Sequence, residues 1–285
     1  MSAAIGFLLL FTIIGDARKA ATSGDFTGAE KLVREHQKAQ GATPDSIEAY
    51  SWLARGALNA KKYDEALKYA AETEKQVLAK VNASTLDGER HLPIALGAAI
   101  EVRGQALGAT EGRASGVDYL RSEMAKYRKT SIRTRIQKNL NLLSLEGKPA
   151  PKVDGMKLPA KPVLLFFWAH WCPDCKAEAP VLAQIQKTYP QVAVIGPTKL
   201  YGYVEGGKDA AAPEERKYVQ VARDKFYSEV KDMPVLIHAE TFANYGASTT
   251  PTLVLIDRKG IVQLYHPGRM TFDELKPYLD KFAGA

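Results

Sequence analysis

Val163-Leu164-Leu165-Phe166-Phe167-Trp168-Ala169-His170-Trp171-Cys172-Pro173-Asp174-Cys175 is the stretch that decides how this chain is read. The apolar run Val163 to Trp168 is short and rich in large side chains, which suits a buried strand. Ala169-His170-Trp171 then leads straight into two cysteines three apart, so the pair lies at a strand-to-helix junction. At a helix N-terminus the first backbone N–H groups and the macrodipole favour negative charge and stabilise a thiolate on Cys172. Cys175, one turn further in, is expected to be more buried and within reach of Cys172. It can therefore resolve a mixed disulfide that Cys172 has made.

These are the only cysteines among 285 residues, so none remains for a long-range structural disulfide. Half of a four-cysteine zinc site is the competing reading. It fails for want of a second CxxC or a His pair at ligand spacing, and the five histidines stand singly. No metal or other cofactor is expected beyond the dithiol itself.

Outward from this stretch, short apolar runs alternate with helical ones, as for strands and helices around a mixed sheet. The expected strands are Val163 to Trp168, Val192 to Ile195, Val235 to His238, Leu253 to Asp257 and Ile261 to Tyr265. Asp257-Arg258-Lys259-Gly260 signals a tight turn that pairs the last two as a hairpin. Thr271 to Phe282 reads as a closing amphipathic helix, with Thr271 and Glu274 as a capping box. Residues 197–233 hold a long connection: an ordered loop around Tyr201, Gly202, Tyr203, Gly206 and Gly207, then a helix from Pro213. It reads as a substrate-selecting flap or as a decorative insertion.

Upstream the texture differs. Asp16 to about Glu146 is rich in Ala, Leu, Glu, Lys and Gln, and reads as helix throughout. Phe26-Thr27-Gly28-Ala29 and Tyr63-Asp64-Glu65-Ala66 each set an aromatic three residues before an Ala, at a spacing of 37. Each aromatic sits where a turn leads into the second helix of a hairpin, and this resembles a tetratricopeptide-type unit. Ala54 stands where that unit usually has glycine. No third unit is evident, so Ile94 to Ala106 and Val117 to Leu145 are expected to complete or cap the stack. Gly147 to Gly155, with Pro149 and Pro151, cannot continue a helix and reads as a linker. The expected organisation is two-domain. A segment 1–17 precedes an all-α helical-hairpin domain over 18–146, a linker over 147–160 and an α/β domain over 161–285.

Met1 to Gly15 carries no charge and holds an apolar block, Ile5 to Ile14. This is shorter than the ~20 residues a transmembrane helix needs. It has the length of a signal-peptide core, with Gly15-Asp16-Ala17 as a cleavage site, although no Lys or Arg precedes it. A buried first helix is the alternative, and export to an extracytoplasmic compartment is the expectation. The net charge of +7 is spread among acidic residues without a long basic run, so nucleic acid is not expected as a partner.

Phe167 to Cys175 resembles the active-site stretch of the thioredoxins, and Lys176-Ala177-Glu178-Ala179-Pro180 resembles the TlpA/ResA-like branch. The resemblance covers about Lys161 to Ala285 and implies a thioredoxin-like fold and a protein thiol-disulfide oxidoreductase. It implies that Glu178 assists proton transfer at Cys175; on the residues alone, an ordinary carboxylate favoured by the helix dipole is equally apt. Thioredoxins proper have a buried Asp where this chain has Phe166, which leaves Glu178 to manage the proton. Pro180 is expected to kink the active-site helix. In Thr249-Thr250-Pro251-Thr252 the family's matching X-Pro bond is cis and faces the dithiol. The Thr250 backbone would then hold an extended client by strand addition, with Trp171 as an apolar rim. Asp174 opposes the thiolate on Cys172 and tilts the pair toward a reductant. His170 is expected in a surface or packing role.

The implied partners are protein thiols and disulfides, an upstream thiol reductant, and a protein docked on the helical domain. A redox-sensing adaptor is the alternative. A redoxin-type peroxidase is disfavoured, because Leu165 and Ala169 occupy the positions of its Pro and Thr/Ser.

Overall fold

The computed structural model describes residues 12–282. The chain divides into two compact units, Met1–Ile132 and Arg133–Ala285.

Among the described residues of the first unit, six helices pack in successive pairs: α1 (Ile13–Thr22) with α2 (Phe26–Gln40), α3 (Pro44–Asn59) with α4 (Tyr63–Leu78), and α5 (Leu92–Thr110) with α6 (Arg113–Tyr127). Phe26 and Tyr63 each open the second helix of a pair, and Ala29 and Ala66 are fully buried where the helices meet. The small side chain brings the helix axes close, and the aromatic anchors the turn. The third pair, for which the sequence shows no signature, uses another device. A Cβ on Gly104 of α5 would come within 2.7 Å of the Leu120 side chain of α6, so the missing methyl admits Leu120.

Most of the expected leader segment, 1–17, lies outside the described residues. Its described end forms the start of α1, where Thr12 accepts the Gly15 N–H as N-cap. Ala17 is fully buried there, and Ile13 and Ile14 pack against the same core.

The second unit opens with α7 (Arg133–Ser144), which packs on the unit's own sheet and helices. The stretch expected as a linker begins by pairing with that sheet. Gly147 N–H donates to the Val262 carbonyl at 2.8 Å, Val262 N–H to Lys148 at 2.9 Å, and Ala150 N–H to Gly260 at 2.8 Å. Proline-containing chain at a sheet edge is physically reasonable, because Pro149 needs no donor there.

Five strands follow: β1 (Val163–Phe167), β2 (Ala193–Thr198), β3 (Val235–Ile237), β4 (Thr252–Ile256) and β5 (Val262–Pro267), ordered β3-β2-β1-β4-β5. The pairs β1–β2 and β2–β3 are parallel, while β1–β4 and β4–β5 are antiparallel. Each expected strand is present with ends moved by a few residues, and the Asp257–Gly260 turn joins β4 to β5. Asp257 Oδ1 shapes that turn by accepting N–H groups from Lys259 at 2.8 Å and Ile261 at 2.9 Å.

Central β1 is buried on both faces, and its period of two divides the core. Leu164 and Phe166 point to the side packed by α9 (Ala179–Thr188), α10 (Ala212–Phe226) and α12 (Phe272–Leu279). Val163, Leu165 and Phe167 point to the side packed by α11 (Ala239–Asn244). The Thr271–Glu274 capping box is formed at the start of α12.

Candidate active site

At the C-terminal end of β1 the chain turns through Ala169-His170-Trp171 into a short helix, α8 (Pro173–Ala177), whose N-cap is Cys172. Pro173 fills the first helical position, where its missing N–H would have had no partner. Cys172 and Cys175 are joined as a disulfide. The Cys175 N–H donates to Cys172 Sγ at 3.1 Å, so the sulfur takes the place of a capping oxygen. The same N–H and the helix dipole would stabilise a Cys172 thiolate after reduction. Cys172 is 3% exposed and Cys175 is fully buried, which leaves Cys172 as the sulfur a client can reach.

The active-site helix breaks at Glu178 into α8 and α9. Pro180 has no N–H to continue the ladder, and its ring disturbs the preceding turn. At this break the Glu178 side chain turns into the core, fully buried. Its Oε1 accepts the Met270 N–H at 3.3 Å and its Oε2 the Arg269 Nε–H, also at 3.3 Å. Burial pushes the Glu178 carboxyl above the ordinary carboxylate range, and the two donors only partly oppose that push. Sequence reasoning missed Arg269, because it follows Gly268 beyond β5 and nothing in its spacing ties it to the dithiol.

Opposite the disulfide, the Thr250–Pro251 bond is cis, and the Thr250 carbonyl oxygen lies 3.4 Å from Cys172 Sγ. The loop before β4 thus brings Thr250 and Pro251 to the same end of the sheet as the cysteines. Trp171 is 44% exposed beside them, a large apolar side chain open to solvent. Phe166 is wholly buried in the core beneath.

His170, expected at the surface or in packing, is packed: it is 1% exposed, and its Nε2 lies 3.1 Å from Glu215 Oε1. Burial lowers the imidazole pKa, opposed by the bond to Glu215. The neutral ring therefore carries its proton on Nε2, donating to the carboxylate. Glu215, from the first turn of α10, is a second buried carboxylate near the dithiol that the sequence did not reveal. Among the described residues, no cluster of His, Cys, Asp and Glu could hold a metal ion.

Residues 152–283 match the family model described as a thioredoxin-like domain. The chain is 29% identical over 143 residues to the thioredoxin-like protein YneN of Bacillus subtilis, covering 50% of this chain and 75% of that protein. It is 28% identical over 139 residues to the thiol:disulfide interchange protein DsbE of Xylella fastidiosa, covering 45% of this chain and 64% of that protein. To the thiol-disulfide oxidoreductase ResA of Bacillus thuringiensis it is 30% identical over 146 residues, covering 50% of this chain and 74% of that protein. A cysteine-capped helix follows a central buried strand in a domain that matches most of a ResA sequence at 30% identity, and the chain belongs to the thioredoxin-like family of thiol-disulfide oxidoreductases.

Proposed function

We propose that this protein reduces protein disulfides outside the cytoplasm, with Cys172 as nucleophile and Cys175 as resolving thiol. The observation that carries the reading is the disulfide at the start of α8, with Cys172 Sγ 3.1 Å from the Cys175 N–H and 3.4 Å from the Thr250 carbonyl oxygen. In the reduced protein the Cys172 thiolate attacks one sulfur of a client disulfide, and the client's other sulfur leaves as a thiolate. Glu178 then takes the proton of Cys175. The resulting thiolate attacks Cys172 Sγ, expels the second client thiolate and closes the Cys172–Cys175 disulfide. Two electrons pass from the dithiol to the client, and a thiol reductant must return them.

The raised carboxyl of Glu178 supports its part as base, since a group ionising nearer neutrality can both take and return a proton. Trp171, Thr250 and Pro251 are proposed to bind the client as an extended strand against the Thr250 backbone. Asp174, beside the nucleophile, supports the reducing direction by disfavouring its thiolate. Export to a compartment where clients carry disulfides is proposed on the uncharged apolar block that begins at Ile5, although Ile13 and Ile14 at its end pack on the helical core. The helical unit is proposed to dock a partner protein.

The test is a titration of the pair against a dithiothreitol ladder, read by alkylation, with Cys172→Ser as control. A reduction potential near about −270 mV, that of a reducing thioredoxin, is the expected result. A value near about −120 mV would reverse the direction to disulfide donation. Absence of reversible titration would remove the exchange cycle.

A further inference from the structure

The connection between β2 and β3 carries an arrangement that the exchange cycle leaves unused. Its loop is ordered as a small hairpin. Tyr203 and Asp209 form an antiparallel bridge, Val204 N–H donates to the Lys208 carbonyl at 2.8 Å, and Ala210 N–H to Gly202 at 2.9 Å. The base of this hairpin is fastened to the active-site turn by one side chain, Glu215. Its carboxylate is fully buried and accepts three donors: the Tyr201 N–H at 2.6 Å, the Gly202 N–H at 2.8 Å and His170 Nε2–H at 3.1 Å. The His170 ring is in turn enclosed edge-on by Tyr201, Tyr203 and Tyr218, with centroids 5.7, 5.6 and 5.2 Å away.

A buried carboxylate survives only when its desolvation is offset by donors, and here two of the three are backbone groups of the loop itself. The loop is therefore held in one place relative to the dithiol. The consequence falls on Tyr201, whose ring stands edge-on to Trp171 with centroids 5.4 Å apart. Trp171 immediately precedes Cys172 and is 44% exposed, whereas His170 behind it is sealed. Two large rings fixed at an angle offer apolar area with little side-chain entropy left to lose.

We propose that Trp171 and Tyr201 form a side-chain subsite for an apolar residue flanking the client's cysteine. Glu215 and His170 are the positioning residues that keep this subsite in register with Cys172. The inference rests on the disulfide-exchange reading and adds a selection rule to it. A client cysteine brought to Cys172 carries its neighbouring side chain onto Trp171, and the fastened loop closes the far side of that contact. An apolar neighbour gains contact with both rings, whereas a small polar one gains almost nothing.

The experiment uses the full chain, reduced beforehand, and two disulfide peptides that differ only in Leu or Ser beside the cysteine. Hydroxyethyl disulfide, which has no flanking side chain, is run alongside. The wild type is expected to favour the Leu peptide about tenfold in kcat/KM, mainly through KM, within the range one apolar contact gives. Tyr201→Ala and Glu215→Gln are expected to cut that preference to about twofold, while Tyr201→Phe keeps it. Tyr201→Ala removes only a ring, so it decides the matter even where Glu215→Gln loosens the fold. Equal treatment of both peptides by the wild type, or an equal fall on both in Tyr201→Ala, overturns the subsite. Failure of the wild type on hydroxyethyl disulfide as well defeats the exchange reading instead.

Discussion

Two buried carboxylates flank the dithiol and are held in opposite ways. Glu215 has three donors at 2.6, 2.8 and 3.1 Å, two of them backbone N–H groups of a loop that would come loose without it. Glu178 has two donors, both at 3.3 Å, one of them an arginine that is itself about half exposed. Burial alone does not say what a carboxylate is for; the number, length and origin of its donors do. Glu215 is tied as a structural anchor, since its removal would break three contacts together. At Glu178, the proposed base, a proton would arrive and leave at the cost of only these two longer contacts. Its carboxyl is already displaced upward by desolvation.

The largest expected effect tests the mobile proton. Glu178→Gln keeps the shape and loses the base, so resolution of the mixed disulfide by Cys175 should slow about a hundredfold. Its rise with pH should flatten, as read by stopped-flow release of a labelled client thiol. Stability should move the other way. A carboxyl whose folded pKa is raised contributes stability below its unfolded pKa, and this is lost as pH rises through the folded value. The wild type should therefore lose ground to Glu178→Gln as pH rises above the ordinary carboxylate range, with the two level well below it. A resolving rate that keeps its pH dependence in the variant would make Glu178 another structural anchor and end the contrast.

Glu215→Ala probes the other side. It leaves two part-buried backbone N–H groups and a buried imidazole N–H without their acceptor and should cost about 2 kcal/mol in urea unfolding. Glu215→Gln keeps one acceptor oxygen and turns an amide N–H toward a donor the carboxylate used, so it should recover only part of that. Loss of less than about 1 kcal/mol in Glu215→Ala would mean that water replaces the carboxylate, and that the loop is not fastened as described.

The two carboxylates were unequally legible in the sequence, for a physical reason. Glu178 lies three residues after Cys175, within one turn of the same helix, so its closeness to the dithiol follows from local geometry. The central strand, the antiparallel hairpin and the Thr271 cap were legible likewise, since each is decided by a handful of adjacent residues. Glu215 lies 45 positions from His170, and Arg269 lies 91 from Glu178. Only the folded sheet brings them together. The third helical pair was hidden because Gly104 works by absence: a glycine in a helix reads as weak helix former until Leu120 is seen filling its place. Residues 147–150 read as linker because prolines bar a central strand, yet they are tolerated at the edge where this stretch lies.

The smallest expected effect sharpens the contrast most. Arg269 Nε lies 3.3 Å from Glu178 Oε2 and draws the carboxyl downward against its burial. Arg269→Met removes that pull and should move the pH midpoint of resolution upward. Near neutrality fewer molecules then hold Glu178 as the base, and the rate should fall about threefold, in keeping with a half-exposed ion pair. Because the guanidinium reaches solvent, high salt should shift the wild-type midpoint in the same direction and leave Arg269→Met unmoved. Salt has no comparable hold on Glu215, which is itself fully buried and whose partners are two backbone amides and an imidazole. A wild-type midpoint insensitive to salt would show that Arg269 only packs against Glu178. The upward displacement of that carboxyl would then be set by burial and the nearby Glu274, with only the Met270 N–H opposing it.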